Sequence, residues 1–402
     1  MWTAIHHTEG VRAPPDTVTV RRREERKGRP RVTTRTRLVA GLTAGAVLLA
    51  AGLFVATRLI LAGLNSAVPQ ADLFGVAQPS ASANASPTAG APPQPNNGPP
   101  EGSDITGPLN ILIAGEDTRE DDPGSIPHSD AILIMHISAD LTHAYITSLP
   151  RDMLVNVPAY GPSGSGADFT KITHAMTYGA RVPGGGQNTA QGFGLLAQTV
   201  TGFTGLEFNA GALVSFTGLA KLADAIGGID IYVDHDVTSI HRGPDGADTV
   251  AQGGPFQHYP VGEQHLVGWQ VLDYARQRYG LPSGAYDRER HHRQILKAMI
   301  SKIFSFDLMN HPFVAAYVVL TVGQYLKLDL RGRSVEAYAY ALRNLKPENV
   351  TLVGLPGSSV HSGGAYIGES LAPIQAPYFA AARSDTIAEF LAGHPELIND
   401  PR

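Results

Sequence analysis

The chain has no cysteine among its 402 residues, which excludes a disulfide framework and any thiolate-held metal. It also has no Walker A loop, no G-x-G-x-x-G after a strand and no G-x-S-x-G elbow. Nucleotide-cradle and serine-hydrolase readings therefore fall away as first choices. No repeat of solenoid length occurs. Positive charge is scarce over most of the chain: residues 1–37 hold ten of the 31 Lys+Arg and four of the 36 acids, leaving 21 basic against 32 acidic residues in the remainder.

Next comes the one long apolar run. Leu38–Thr57 (LVAGLTAGAVLLAAGLFVAT) carries no charge over 20 residues, enough for a helix to cross a hydrocarbon layer of about 30 Å. A cleaved signal peptide is the rival reading, but its apolar part spans only about 7–15 residues and starts nearer the N-terminus. The basic tail before the run and the lone Arg58 after it put the tail in the cytoplasm and the rest outside. The tail suits anionic membrane lipid; nucleic acid is a poor partner for a basic segment beside a membrane span.

Gln78–Pro108 is rich in Pro, Ala, Ser and Gly and too poor in large apolar residues to bury anything, so residues 58–107 read as an extracytoplasmic tether. A folded domain is expected over 108–357, with 358–402 as a C-terminal extension. The short branched runs NILIAG (110–115), AILIMHI (131–137) and AYITSL (144–149) read as buried strands. Only Ser138–His143 separates the last two, which calls for an antiparallel hairpin. If the first pair is antiparallel as well, Asp117, Asp130, Arg151 and Asp152 share one sheet rim. FTGLAKLADAI (216–226) has helical spacing closed by Gly227-Gly228, IDIYVD (229–234) reads as a strand, 235–262 as a loop, 287–304 as an amphipathic helix and NVTLVGLP (349–356) as a last strand. The class is α/β, a layered α-β-α core around a mixed, partly antiparallel sheet preceded by one transmembrane helix.

The segment YARQRYGLPSGAYDRERHHRQ (274–294) concentrates Arg276, Arg278, Arg288, Arg290 and Arg293 in an otherwise acidic chain. Arg276 and Arg278 share a face if their segment is extended. On the following helix Asp287, Arg290 and Gln294 form one stripe, with Arg293 at its shoulder and Leu296, Met299, Ile300 and Ile303 opposite. Such a stripe can be a solvated face with ion pairs contributing about 0.2–0.5 kcal/mol each. Arginines clustered at this density repel one another unless an anion compensates, and guanidinium binds phosphate bidentately. The ligand this suggests is a polyanion with several phosphate oxygens. Asp117 and Asp130 would repel it unless a hard cation such as Mg²⁺ joined carboxylates to phosphate. The adjacent His291 and His292 splay apart on a helix and make a poor zinc pair.

These motifs resemble the LytR-CpsA-Psr family of membrane-anchored bacterial envelope enzymes. The resemblance runs from NILIAGED, SDAILI and SLPRDMLVNVP through KITHAMTYG (with Lys171) and DAIGGIDI to YARQRYG and the Asp287…Arg290…Arg293-Gln294 helix. It implies transfer of a glycopolymer from a polyprenyl-pyrophosphate carrier to a peptidoglycan hydroxyl. It further implies Mg²⁺, with Mn²⁺ as the substitute, on Asp117 and Asp130, and pyrophosphate held by Arg151, Arg276, Arg278 and Arg290. Lys171, Arg293 and Gln294 belong with the substrate residues, as does His128, which stands where the family usually has Arg. Asp152 and Asp287 are the two candidate bases. A non-catalytic lipid-pyrophosphate sensor and a pyrophosphatase are the rival functions.

Overall fold

The computed structural model describes residues 70–75, 99–117, 127–250, 253–278, 280–305, 321 and 323–399. The basic tail, the apolar segment 38–57 and residues 76–98 of the proline-rich stretch lie outside the described residues. Among the described residues no helix is long and apolar enough to cross a membrane.

In chain order the strands are β1 (Leu109–Glu116), β2 (Ser129–Ile137), β3 (Ala144–Ser148), β4 (Leu154–Val157), β5 (Asp168–Lys171), β6 (Ala210–Ser215), β7 (Ile229–Val233), β8 (Val237–Thr238), β9 (His258–Tyr259), β10 (Gly262–Leu266), β11 (Leu326–Asp329), β12 (Val350–Val353), β13 (Gly357–Ser362) and β14 (Ala365–Leu371). The helices are α1 (Thr173–Gly179), α2 (Thr189–Thr204), α3 (Phe216–Ala225), α4 (Gly268–Arg276), α5 (Ala285–Ser305), α6 (Val335–Ala341), α7 (Gln375–Arg383) and α8 (Ile387–Gly393).

Six strands form the central sheet in the order β11-β6-β1-β2-β3-β12. The expected β2–β3 hairpin is present, and β1 pairs antiparallel with β2. β6 runs parallel to β1, and β12 parallel to β3, so the sheet is mixed. Its branched residues alternate between two faces, as a pleated strand requires. Leu112, Ala114, Ile132 and Ile134 join Phe193 and Leu196 of α2 in one core, while Leu133, Met135 and Ile146 pack on the other side with Leu352, Leu296 and Ile300. A third apolar cluster joins α3, α4, α5 and the β7–β10 ribbon through Ala223, Ile231, Val271, Tyr274 and Ile295. The α-β-α layering read from the sequence is the observed one.

Local chemistry explains the elements that frame the rim. Ser215 caps α3, its hydroxyl accepting from Gly218 N at 3.1 Å. The helix stops at Gly227 and Gly228, both at positive φ (76° and 83°), where a side chain would be strained. His291 Nδ1 lies 3.3 Å from Tyr274 O and His292 Nε2 2.9 Å from Ala275 O, so the histidine pair ties α5 to α4.

Three boundary expectations change. Residues 70–75 fall in the expected tether, yet Leu73 and Phe74 are buried in the core and Ala71 N donates to Leu328 O at 2.8 Å. A run too short to form a core can still add to one. The strand at 350–353 is not the last, because the β13–β14 hairpin follows it. Residues 358–402 are no separate extension either: Tyr378, Phe379, Leu391 and Leu397 sit in the main core.

Candidate active site

Sheet register builds the site. β1 ends at Glu116, paired with Ser129 across a bulge after Gly115, and Asp117 N donates to His128 O at 3.2 Å. β3 leaves the sheet at Ser148, opposite Leu133. Asp117, Asp130, Arg151 and Asp152 therefore reach the same rim, as their strand positions predict.

Arg151 Nη1 donates to Asp130 Oδ1, and its Nε lies 3.7 Å from Asp152 Oδ1. Lys171, from the end of β5, places Nζ 3.3 Å from the same Asp152 oxygen. Burial pushes the Asp130 carboxyl above its usual range; Arg151 opposes this and the neighbouring charge of Asp117 adds to it. Burial acts the same way on Asp152, but Lys171 and Arg151 outweigh it and hold that carboxyl below its usual range. Two carboxylates on one rim thus titrate in opposite directions. His128 Nδ1 lies 3.0 Å from Thr177 Oγ1, and its charge, when present, acts on Asp130.

The arginines divide. Arg276 is the last residue of α4, and Gln277 beyond it is extended (φ −67°, ψ 132°). The expected extended Arg276-x-Arg278 segment is therefore a helix end followed by exposed Arg278. Arg276 Cζ lies 5.7 Å from the Phe216 ring, and Phe216 neighbours Gly115, so Arg276 flanks the rim on the β1–β6 side. Arg290 is committed elsewhere: Nε is 2.9 Å from Asp234 Oδ2, Nη2 3.2 Å from Asp234 Oδ1 and Nη1 3.0 Å from Asp287 Oδ1. Asp287 Oδ2 accepts from Ser283 N at 2.6 Å, so both its oxygens serve the N-terminal turn of α5. In this arrangement Arg290 ties α5 to the segment after β7, and Asp287 accepts at the first turn of the helix. Arg293 is buried and donates to Ser148 Oγ and, at 2.9 Å, to Asn399 Oδ1. Gln294 is buried, and its amide has no hydrogen-bond partner among the described residues.

Tyr366 and Glu369, which the sequence did not mark, join the rim, and so does Arg288, which the sequence placed in the arginine cluster but not in the site. The charge of buried Arg288 acts on both Asp130 and Asp152; a stripe drawn on an isolated helix does not say which face the sheet will meet. Tyr366 OH lies 3.3 Å from Asp152 Oδ2 and 3.0 Å from Glu369 Oε1, and Glu369 N donates to Asp152 O at 2.9 Å. Nothing local in the β14 sequence marks them.

Behind the rim an apolar cavity of about 120 Å³ lies between the sheet and α3–α5, lined among others by Gly115, Ala131, Phe216, Ala275, Leu296 and Met299. Its upper residues, Gly115 and Phe216, are those beside Asp117 and Arg276.

Among the described residues no group of three or more His, Cys, Asp or Glu forms a metal cage. Mg²⁺ needs none, since one or two carboxylates plus substrate phosphates suffice. The hard oxygens of Asp117 and Asp130 fit that demand, and the disfavoured ionisation of Asp130 is what a bound cation would relieve.

The sheet order and layers define a fold class with solved members. Protein gbs0355 from Streptococcus agalactiae superposes with a TM-score of 0.54 at 19% identity, covering 69% of this chain and 87% of that one. The Enterococcus faecalis protein EF0465, described as a transcriptional regulator, gives 0.51 at 20% identity, covering 73% and 97%. The chain belongs to the LytR_cpsA_psr family, which it matches over residues 75–375. Its relatives include the cell wall biosynthesis protein LcpA of Corynebacterium glutamicum, 25% identical over 312 residues, 72% of this chain and 57% of that protein. Another is the polyisoprenyl-teichoic acid–peptidoglycan teichoic acid transferase TagU of E. faecalis, 25% identical over 223 residues, 56% and 62% of the two chains. The chain thus spans about three fifths of the length of these curated relatives.

Proposed function

We propose that the protein is a membrane-anchored phosphotransferase that moves a glycopolymer from a polyprenyl-pyrophosphate carrier onto a peptidoglycan hydroxyl outside the cell. The observation that carries this reading is an apolar cavity whose lining residues Gly115, Ala131 and Ala275 stand one or two positions along the chain from Asp117, Asp130 and Arg276, with Arg151 and Lys171 paired to the carboxylates of the same rim. A ligand matching both parts has a long apolar tail and a multiply charged anionic head. TagU's name gives that carrier class and acceptor to a relative, and family membership supports carrying them to this chain.

In this reading the prenyl tail enters the cavity, and Arg151, Arg276 and Arg288 surround the diphosphate with fixed positive charge aimed at oxygens that gain charge during transfer. Exposed Arg278 adds to the entrance. Mg²⁺ or Mn²⁺ on Asp117 and Asp130 supplies further neutralisation of phosphate charge. The acceptor hydroxyl oxygen forms a bond to the glycan-proximal phosphorus, the bond from that phosphorus to the bridging oxygen breaks, and lipid monophosphate leaves. We assign the role of base to Asp152. It is ionised near neutral pH, and Lys171, Arg151 and Tyr366 hold its oxygens at the rim. The acceptor's proton passes to it.

The test is reconstitution with a lipid-pyrophosphate glycan and peptidoglycan. Asp117→Ala and Arg151→Ala should each lower transfer by about 10²-fold or more; transfer at the parent rate in both would refute the site.

A further inference from the structure

We propose that a second, polar cavity on the opposite flank of α5 is a saccharide subsite. The proposal rests on the transferase reading for its place in the reaction, not for its chemistry. The N-terminal half of α5 faces three compartments. His292 and Leu296 line the apolar cavity, Arg288 acts on the carboxylates of the rim, and Asp287, Arg290 and Arg293 line a cavity of about 350 Å³ completed by Pro150, Tyr286 and Asn399. That volume falls in the range of small-molecule sites, roughly 300–1,000 Å³.

The lining selects the ligand class. It is too polar for a prenyl chain. It is also a poor phosphate site: two guanidiniums (Arg290, Arg293) face three carboxylates (Asp287, Glu289, Glu396), and the guanidiniums already hold Asp234, Asp287, Ser148 and Asn399. What remains is a balanced set of donors and acceptors. Arg293 Nε is buried without an acceptor among the described residues, and the Asn399 amide, the Ser283 hydroxyl and the Tyr286 phenol, which donates to Ser370 O at 3.3 Å and can still accept, also lie in the wall. Mixed donors and acceptors without net positive charge suit the hydroxyl and acetamido groups of a sugar. The wall depends on missing side chains too: a Cβ on Gly354 would lie 1.9 Å from Asn399 Oδ1, and one on Gly357 2.1 Å from the Tyr286 hydroxyl. Position fits the chemistry. Pro150 lines the cavity, and the next residue, Arg151, holds Asp130, so a bound ring lies beside the place assigned to the diphosphate.

The sugar has two possible sources, the first residues of the donor glycan or the acceptor glycan strand. Saturation-transfer NMR on the full chain in detergent, with N,N′-diacetylchitobiose as probe, tests the subsite directly. The parent should bind the disaccharide, and Asn399→Ala and Tyr286→Phe should each weaken it about three- to tenfold, with lipid-diphosphate affinity unchanged. Asn399→Ala also removes an acceptor of buried Arg293 and should lower thermal stability, so Tyr286→Phe, which keeps the ring, is the variant that separates binding from fold. Displacement by a lipid-diphosphate disaccharide assigns the cavity to the donor, a ternary complex to the acceptor, and either supports the subsite. No binding at about 10 mM, unchanged binding in both variants, or displacement by inorganic phosphate overturns it. Disaccharide binding without lipid-diphosphate binding would refute the transferase reading while leaving the subsite standing.

Discussion

Arg151 serves two carboxylates at once, donating through Nη1 to Asp130 while its Nε lies 3.7 Å from Asp152 Oδ1. One guanidinium thereby couples the carboxyl proposed to hold a cation with the one proposed to take a proton. Arg151→Lys keeps the charge but loses the planar fork. Transfer should fall at least tenfold in Arg151→Lys and further in Arg151→Ala, with the loss mainly in kcat. Equal activity of the lysine variant and the parent in a steady-state assay would show that the shared contact is dispensable.

Asp130 is held at a cost. Its ionisation is less favourable folded than unfolded, so removing the charge should stabilise the protein at pH 7. Asp130→Asn is expected to have a Tm equal to or above that of the parent without divalent cation. Added Mg²⁺ should raise the Tm of the parent and not of the variant. Calorimetry with and without Mg²⁺ reads both effects, and a variant Tm several degrees lower would contradict the account.

Asp152 has the opposite sign. Its folded carboxyl titrates below its unfolded value, with burial opposing and Lys171 and Arg151 prevailing. Its contribution to stability is fully present above about pH 4–5 and is lost as pH falls through the folded value. The stability gap between the parent and Asp152→Asn should therefore shrink as pH drops from 5 to 3, as measured by urea unfolding across that range (approximate limits). A gap that widens on acidification would reverse the assignment.

Arg288 and Arg290 should separate function from fold. Arg290 joins Asp234 and Asp287 within 3.2 Å, and losing such a partly buried pair costs on the order of 2 kcal/mol after discounting for solvent. Arg290→Ala should lower stability with little change in lipid-diphosphate affinity. Arg288→Ala should weaken that affinity about tenfold or more through lost charge at the rim. Titration calorimetry with a short-chain prenyl diphosphate, paired with denaturation, would expose the reverse pattern.

Much of the rim was legible because strand alternation and loop length are local. Six residues between β2 and β3 demand a hairpin, and the hairpin carries Asp130 and Arg151 to one edge. The arginine helix was legible in existence and class but not in rotation. Asp287, Arg290 and Gln294 do form a stripe, yet it is Arg288 whose charge acts on Asp130 and Asp152 and Arg293 that meets β3 at Ser148, because packing of His292, Ile295 and Met299 sets the helix's rotation. Tyr366 and Glu369 arrive on a hairpin more than two hundred residues after Asp152 in the chain. No spacing rule links such distant residues. Leu73 and Phe74 were hidden for a related reason, since nothing local shows that they reach a core whose first strand begins at Leu109.

The most direct test follows the phosphorus. Incubation of the reconstituted protein with a lipid-pyrophosphate glycan labelled at the glycan-proximal phosphate, with peptidoglycan and Mg²⁺, should leave the label in a phosphodiester joining glycan to peptidoglycan and release unlabelled prenyl monophosphate. Label retained in intact donor, or released as free phosphoglycan, would contradict transfer.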